Sequence, residues 1–202
     1  MSGDTEIEAK FLVRSMPALR QRLLDLGAEL LSSRIHETNR RFDTPDRRLA
    51  RDGRALRLRQ DSAVTLTYKG PGKFDDGVRS RVELELQVDD LGRAEELLKQ
   101  LGYVLTFEYE KIRTTLALAG ARIMLDELPY GDFVEIEGEA ALIRHTAGLL
   151  QLRWETAIAQ SYLGLFERLQ HALDLPFHDL SFSNFSGRSI SPGDLGVVPA
   201  DV

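Results

Sequence analysis

The sequence predicts an α+β protein: an eight-stranded, mainly antiparallel β-barrel with helices packed outside it. Three observations support this prediction. Charged and apolar residues alternate in most strand-like segments, which gives each strand one apolar and one ionic face. Hairpins or a single helix join successive strands, which is typical of antiparallel pairing. Eight such segments occur along the chain, and eight strands can close into a barrel that holds one small ligand.

The first half of the chain opens on its clearest strand. Residues 6–11 read Glu-Ile-Glu-Ala-Lys-Phe, a strict alternation of charged and apolar side chains. A helix follows over 16–27, with Ser15 as its N-cap, Pro17 in its first turn and Gly27 at its end. A short helical turn then ends near Gly53. The sequence predicts strands at 5–13, 33–43, 54–61, 63–69 and 79–88, and a polar loop at 73–77.

The second half repeats this order, which indicates a duplicated half. A helix over 90–102 ends on Leu-Gly, as the first helix does, and a long strand follows it. The remaining strands are predicted at 103–118, 121–127 and 132–137, and the remaining helices at 139–150 and 155–174. Residues 1–174 are predicted to form a single domain. A partly disordered C-terminal tail is expected over 175–202, because the end of the chain is rich in Ser, Gly and Pro.

Composition limits the classes of function. The 202 residues are 43% hydrophobic and 29% charged, with a formal net charge of −6 and no cysteine. The negative charge disfavours binding to nucleic acid or to an acidic membrane, although a cleft lined with cations can still bind a small anion. No apolar run approaches the ~20 residues of a membrane span, and the polar N-terminus is unlike a secretory signal. We therefore expect a cytoplasmic protein without disulfides or thiolate metal sites.

The ionic face of the strands is the main functional signal, and pattern alone leaves two interpretations open. An antiparallel sheet commonly has one wet face, where opposite charges pair across strands. If the sheet instead closes, about fifteen charges point inward, and because they cannot remain dry and unpaired the interior must hold water with counter-ions or a ligand.

Such a face can bind a chain of phosphates together with a divalent cation. Lysine and arginine bind phosphates, and arginine does so bidentately. Carboxylates suit Mg²⁺ or Mn²⁺, which they share with the phosphates of a substrate. The basic candidates are Lys10, Arg57, Arg59, Lys69, Arg81, Lys111 and Arg113. The acidic candidates are Glu6, Glu8, Glu83, Glu85, Asp126, Glu135 and Glu137.

Other motifs carry less weight. Residues 70–73 read Gly-Pro-Gly-Lys but lack the spacing of a phosphate-binding loop, so they are interpreted as a turn. The pairs Arg40-Arg41 and Arg47-Arg48 are interpreted as solvated loop charge, with a positive mouth of the cavity as the alternative. Tyr162 is interpreted as a core residue.

Residues 6–10, Glu-Ile-Glu-Ala-Lys, resemble the ExExK signature of the CYTH domain, or triphosphate tunnel metalloenzyme, superfamily. This superfamily includes class IV adenylyl cyclases, thiamine triphosphatases and inorganic triphosphatases. The resemblance continues in order through the segments 41–45, 56–59, 67–71, 81–85, 110–113, 125–127, 133–138 and 161–163, so that it covers about residues 4–170.

The resemblance implies a tunnel of eight antiparallel strands, a substrate that bears a triphosphate, and Mg²⁺ or Mn²⁺. It assigns triphosphate binding to Lys10, Arg57, Arg59, Lys69, Lys111 and Arg113, and the ionic face adds Arg81. It assigns metal binding to Glu6, Glu8, Glu135 and Glu137, with Asp126 and Glu85 as helpers. The predicted catalytic residues are Glu6, Glu8 and Lys10.

We therefore expect an enzyme, and three hypotheses about its reaction stay open. The first is metal-dependent hydrolysis of a phosphoanhydride in inorganic triphosphate or in a small organic triphosphate such as ATP or thiamine triphosphate. The second is a class IV adenylyl cyclase that converts ATP to cyclic AMP and pyrophosphate. The third is a module that binds polyphosphate without turnover. No nucleic-acid or membrane partner is expected, and a homodimer is left open.

Overall fold

The structure is a computed structural model that describes residues 4–201. Nine strands in this range form one antiparallel sheet, in the order β1-β9-β8-β7-β2-β3-β4-β6-β5. Strand β1 pairs with β9 on one side and with β6 on the other, which closes eight of the strands into a ring. The strands are β1 Asp4–Val13, β2 Glu29–Asp43, β3 Ala55–Gln60, β4 Val64–Lys69, β5 Lys73–Asp75, β6 Val78–Val88, β7 Val104–Leu118, β8 Ala121–Leu128 and β9 Gly131–Glu137.

Helices cover the outside of the ring and bury the apolar faces of the strands. Leu19 and Leu23 of the first helix pack with Ile143 of the fourth against Phe11 and Ile136 of the sheet. None of the helices in residues 4–201 is both long and apolar enough to cross a membrane. The helices are α1 Met16–Asp25, α2 Arg48–Arg51, α3 Leu91–Gln100, α4 Ala140–Leu149, α5 Tyr162–Leu173 and α6 Pro192–Leu195, with a single 3₁₀ turn at Trp154–Thr156.

The predicted fold class is confirmed, and three of its elements differ. The strand predicted over 33–43 begins four residues earlier, at Glu29. The expected polar loop over 73–77 contains strand β5, which forms a tight hairpin with β6. Gly77 in this hairpin has a φ of 82° and lies against Trp154, where a β-carbon would come within 2.7 Å of the ring.

The helix predicted over 155–174 begins only at Tyr162, where the Ser161 hydroxyl accepts the Gly164 N–H. The residues before it form a hydrogen bond with the sheet instead, since the Ile158 N–H donates to the Lys10 carbonyl on β1 at 2.8 Å.

Residues after Asp174 supply hydrogen bonds where ring strands lack a partner. Strand β7 pairs with β8 only from Ile112 onward. Before that point the Leu180 N–H donates to the Glu108 carbonyl at 3.0 Å, and its carbonyl accepts the Glu110 N–H at 2.8 Å. Farther along, the Ala200 N–H donates to the Leu12 carbonyl on β1. The domain boundary predicted at Asp174 stays a prediction.

Candidate functional site

The ring encloses a cavity of about 1200 Å³ that is lined by ionic side chains from all eight of its strands. The alternation in the sequence explains this arrangement. On β1, for example, Glu6, Glu8 and Lys10 line the cavity while Ala9 and Phe11 pack into the outer core. The charged face therefore lies inside a closed ring, as the second of the two interpretations requires, and is not spread over an open surface.

Three carboxylates converge at one place on the cavity wall. Single oxygens of Glu6, Glu8 and Glu137 lie within 4.8 Å of one another. Glu8 and Glu137 are direct cross-strand partners between β1 and β9, which places two like charges side by side. Burial and the charges of Glu6 and Glu135 raise the pKa of Glu137 to about 7. Burial and the charge of Glu135 also raise the pKa of Glu8.

Glu83 on β6 adds a fourth carboxylate beside this cluster. Burial favours the protonated form of Glu6, but a hydrogen bond with Glu83 and the charge of Lys69 outweigh it and lower the pKa of Glu6 to about 2. Burial and the same hydrogen bond raise the pKa of Glu83 to about 7. The two carboxyl groups therefore share one proton near neutral pH, and Lys69 Nζ lies 2.7 Å from Glu83.

The carboxylate cluster of Glu6, Glu8 and Glu137 suits a hard divalent cation, because crowded carboxylates, two of them with raised pKa values, gain most from a positive charge. In the described residues the group of mutually close oxygens does not include the other predicted metal ligands, although the charge of Glu135 reaches Glu8 and Glu137. Glu135 lies 3.2 Å from Lys10 Nζ and 2.6 Å from Arg113. Glu85 accepts a hydrogen bond from the Thr67 hydroxyl at 2.9 Å. Their roles toward metal stay predictions.

Asp126, the remaining predicted helper, is fully buried and already has three donors. Lys111 Nζ lies 3.1 Å from it, Arg113 approaches it at 2.6 Å, and the Tyr162 hydroxyl donates to it at 2.8 Å. The Lys10 ammonium lies 3.9 Å from the centre of the Tyr162 ring. Tyr162 is buried in the core, as interpreted, and in addition its hydroxyl and ring face hold charged residues at the wall of the cavity.

The seven predicted basic residues all line the cavity, and each has a carboxylate within 4.0 Å. Arg81, for example, donates to Glu6 at 2.8 Å, and Arg59 lies 3.1 Å from Asp61. Within the described residues the buried Nε atom of Arg57 has no hydrogen-bond partner. The Arg57 guanidinium can therefore donate this N–H to a ligand.

Sequence reasoning missed the inward residues of β2. Glu37 is 3% exposed and lies 3.5 Å from Lys111 Nζ, and Arg41 lines the cavity two positions before the end of the strand. Residues 36–41 are polar at every position, so alternation gives no signal there. Phe42 provides one, because it packs outside with Leu58 and Leu98 and so turns positions 37, 39 and 41 inward.

Comparisons with known proteins agree with this geometry. The adenylate cyclase CyaB of Aeromonas hydrophila is 29% identical over 138 residues, which are 66% of this chain and 69% of that protein. A protein of Methanocaldococcus jannaschii, named as a candidate adenylate cyclase, is 28% identical over 134 residues, 65% of this chain and 75% of its own length.

Two solved structures share the fold. A candidate adenylate cyclase of Vibrio parahaemolyticus is 24% identical with a TM-score of 0.71, over 82% of this chain and 99% of that one. A candidate adenylyl cyclase of Hippeastrum, described as having a dominant triphosphatase activity, is 20% identical with a TM-score of 0.62, over 80% of this chain and 95% of that one.

The two sequence relatives described above carry the names of enzymes, which agrees with a cavity built from charged side chains. The profile of the family described as the CYTH domain matches residues 4–162, which is most of the sequence. The chain therefore belongs to the CYTH domain family.

Proposed function

We propose that the protein is a divalent-metal-dependent hydrolase that cleaves a phosphoanhydride bond of inorganic triphosphate or of a small organic triphosphate. One observation carries the proposal. Three carboxylates whose oxygens lie within 4.8 Å of one another share a closed tunnel with all seven of the predicted lysine and arginine side chains. The first set suits a hard cation, and the second suits a chain of phosphates.

The two sets neutralise each other in the structure, and a ligand that carries both charges can replace these contacts. Arg81 pairs with Glu6 and Glu8, and Lys10 pairs with Glu135. Mg²⁺ or Mn²⁺ at Glu6, Glu8 and Glu137 would neutralise charge that develops on the phosphates. Lysine and arginine side chains that are released from their ion pairs then bind phosphate oxygens. A triphosphate with its cation therefore fits the tunnel better than either ion alone.

Hydrolysis consumes only water besides the substrate. The oxygen of a water molecule attacks the terminal phosphorus, and the bond from that phosphorus to its bridging oxygen breaks. The water gives up a proton, which a carboxylate of the cluster can accept. Pyrophosphate leaves from inorganic triphosphate, and the negative charge on its former bridging oxygen is stabilised by the neighbouring guanidinium and ammonium groups.

The names of the curated relatives favour a second candidate, a class IV adenylyl cyclase. In that reaction the ribose 3′ hydroxyl attacks the α-phosphorus of ATP and pyrophosphate leaves. Cyclisation also needs a site that holds the nucleoside and excludes competing water. Tyr109 and Tyr162, which could stack on a base, are each only 8% exposed. Hydrolysis therefore requires fewer features of the tunnel than cyclisation, because it needs no site that holds the nucleoside.

Product analysis tests the proposal. The protein is incubated separately with inorganic triphosphate, ATP and thiamine triphosphate, with Mg²⁺ or Mn²⁺, and the products are identified. We expect orthophosphate, and we expect EDTA to stop its release. Formation of cyclic AMP and pyrophosphate from ATP would show that the protein is a cyclase and not a hydrolase. Tight binding of all three compounds without any product would indicate a module that binds polyphosphate without turnover.

A further inference from the structure

Arg41 differs from the other basic residues of the tunnel in the charge of its neighbours. In the described residues no carboxylate lies within 4.0 Å of its guanidinium, whereas each of the seven predicted basic residues has one. Its direct cross-strand neighbour on β3 is Arg57, a like charge on the same wall. Such a pair is destabilising unless an anion lies between its members.

The acidic groups nearest to Arg41 compensate its charge only in part, and within the described residues neither forms an ion pair with it. Asp43 is two residues away, but its carboxylate accepts the backbone N–H groups of Thr44, Leu49 and Ala50 at 2.7 to 2.9 Å. Glu167 of α5 lines the cavity without forming an ion pair in the described residues. Burial and the charge of Arg57 outweigh the opposing charges of Tyr109, Glu167 and Asp43 and lower the pKa of Arg41, so the counter-charge around this guanidinium is incomplete.

Two other cavity-lining arginines without an ion pair provide a contrast. Arg79 lies opposite Glu8 in register, and Arg122 lies opposite Glu137, so each faces a carboxylate on the neighbouring strand. Arg41 faces Arg57 and has the phenol of Tyr109 nearby. Burial raises the pKa of Tyr109, but the charges of Arg57, Lys111 and Arg41 outweigh it and lower that pKa. The positive potential is therefore concentrated around this phenol.

We propose that Arg41, together with Arg57 and Tyr109, forms an anion subsite that binds one phosphate group of the substrate. The subsite rests on the proposed triphosphate substrate, and it assigns a specific place to one end of the triphosphate. Strand β2 is four strands from β1 in either direction around the ring. The phosphate at Arg41 is therefore the one that lies across the tunnel from the carboxylate cluster.

The chain offers a matched control in the adjacent residue. Arg40 lies outside the ring, where it pairs with Glu108 at 2.7 Å and with Glu95 at 2.9 Å. The dissociation constant of inorganic triphosphate is measured by calorimetry in EDTA, so that turnover does not interfere. We expect Arg41→Gln to raise it roughly tenfold, the loss of one hydrogen bond to a charged group. Arg41→Lys should restore part of the affinity, and Arg40→Gln should leave it unchanged.

Thermal unfolding without ligand separates binding from a structural role. Arg41→Gln removes a like-charge contact, so its melting temperature should equal or exceed that of the wild type, whereas Arg40→Gln loses two ion pairs and should melt lower. Equal affinity of Arg41→Gln and wild type, or equal weakening by both variants, would overturn the subsite while leaving hydrolysis intact. Binding that depends on Arg41 without any turnover would instead retain the subsite and remove the proposed hydrolase.

Discussion

Two opposite walls of the tunnel carry opposite charge. The acidic wall, formed by β1 and β9, places Glu6, Glu8, Glu135 and Glu137 in the cavity against one lysine, Lys10. The basic wall, formed by β7, β2 and β3, places Arg41, Arg57, Arg59, Lys111 and Arg113 there against one glutamate, Glu37.

Two glutamates, Glu137 on the acidic wall and Glu37 on the basic wall, have pKa values shifted in opposite directions. Burial and neighbouring carboxylates raise the pKa of Glu137 to about 7. Burial acts in the same direction on Glu37, but the charges of Lys111 and Arg113 outweigh it and lower its pKa to about 2. The difference shows that neighbouring charge, and not burial alone, sets the chemistry of each wall. One wall therefore suits a cation and the other an anion.

The largest effect is expected from the acidic wall. Glu8→Gln keeps the size of the side chain but removes one of three charged oxygens from the carboxylate cluster. We expect turnover to fall by about two to three orders of magnitude, as when an electrostatic group in an active site is lost, with little change in the melting temperature. Calorimetry with Mn²⁺ should show a matching loss of metal affinity.

Glu85→Gln is the matched control for that experiment, since Glu85 lies outside the carboxylate cluster and accepts a hydrogen bond from Thr67. It should keep most of the Mn²⁺ affinity. Normal Mn²⁺ binding by Glu8→Gln, or an equal loss in Glu85→Gln, would remove the assignment of the cluster as the metal site.

A change on the basic wall should affect binding more than the chemical step. Arg57→Ala removes a guanidinium whose Nε is buried without a partner in the described residues. We expect KM for inorganic triphosphate to rise roughly 10- to 100-fold, the range for a hydrogen bond to a charged group, and kcat to change less. Steady-state kinetics measures both. A fall in kcat at constant KM would place Arg57 in the chemical step instead.

Tyr162 links the two walls through Asp126 of β8. Its hydroxyl donates to Asp126, which also binds Lys111 and Arg113 of the basic wall, and its ring lies beneath Lys10 of the acidic wall. Tyr162→Phe removes only the hydroxyl and leaves Asp126 with one donor fewer. We expect a loss of about 1.5–3 kcal/mol in the free energy of unfolding, measured by chemical denaturation, and a modest rise in KM. Unchanged stability would show that water replaces the hydroxyl and that Asp126 does not depend on it.

Sequence predicted the acidic wall better than the basic wall, for a physical reason. Residues 6–11 alternate strictly, so parity alone puts Glu6, Glu8 and Lys10 on one face. Strand β2 is polar on both faces over 36–41, because its outer face carries ion pairs such as that of Arg40 with Glu108. Parity could therefore not distinguish Arg41 from Arg40, and both were interpreted as solvated charge.

The local sequence pattern also could not predict that the ring closes or that carboxylates from distant strands meet. The pairing of β1 with β6 joins residues more than seventy positions apart, from Asp4 with Glu83 to Glu8 with Arg79. The predicted ligand set contained Asp126 and Glu85 because both lie on the inward face. Parity gives the face of a residue but not its height along the tunnel, which depends on strand register.

The smallest effect tests the difference between the walls most directly, through pH. A carboxyl group with a raised pKa contributes stability below its unfolded value of about 4.5 and loses that contribution as pH rises through its folded value. Glu137 therefore makes the metal-free protein less stable at pH 8 than at pH 5.5, and Glu137→Gln should reduce that difference by a few degrees in melting temperature. Glu37 has a lowered pKa, so its contribution is present above 4.5 and is lost only toward pH 2.

Glu37→Gln should accordingly lower the melting temperature about equally at pH 5.5 and pH 8, because it removes ion pairs that are intact at both values. Melting curves of the two variants in EDTA make the comparison, and added Mn²⁺ should abolish the effect of pH in the wild type by taking the place of the proton on Glu137. If both variants changed the pH dependence in the same way, the two walls would not differ in charge as the structure indicates.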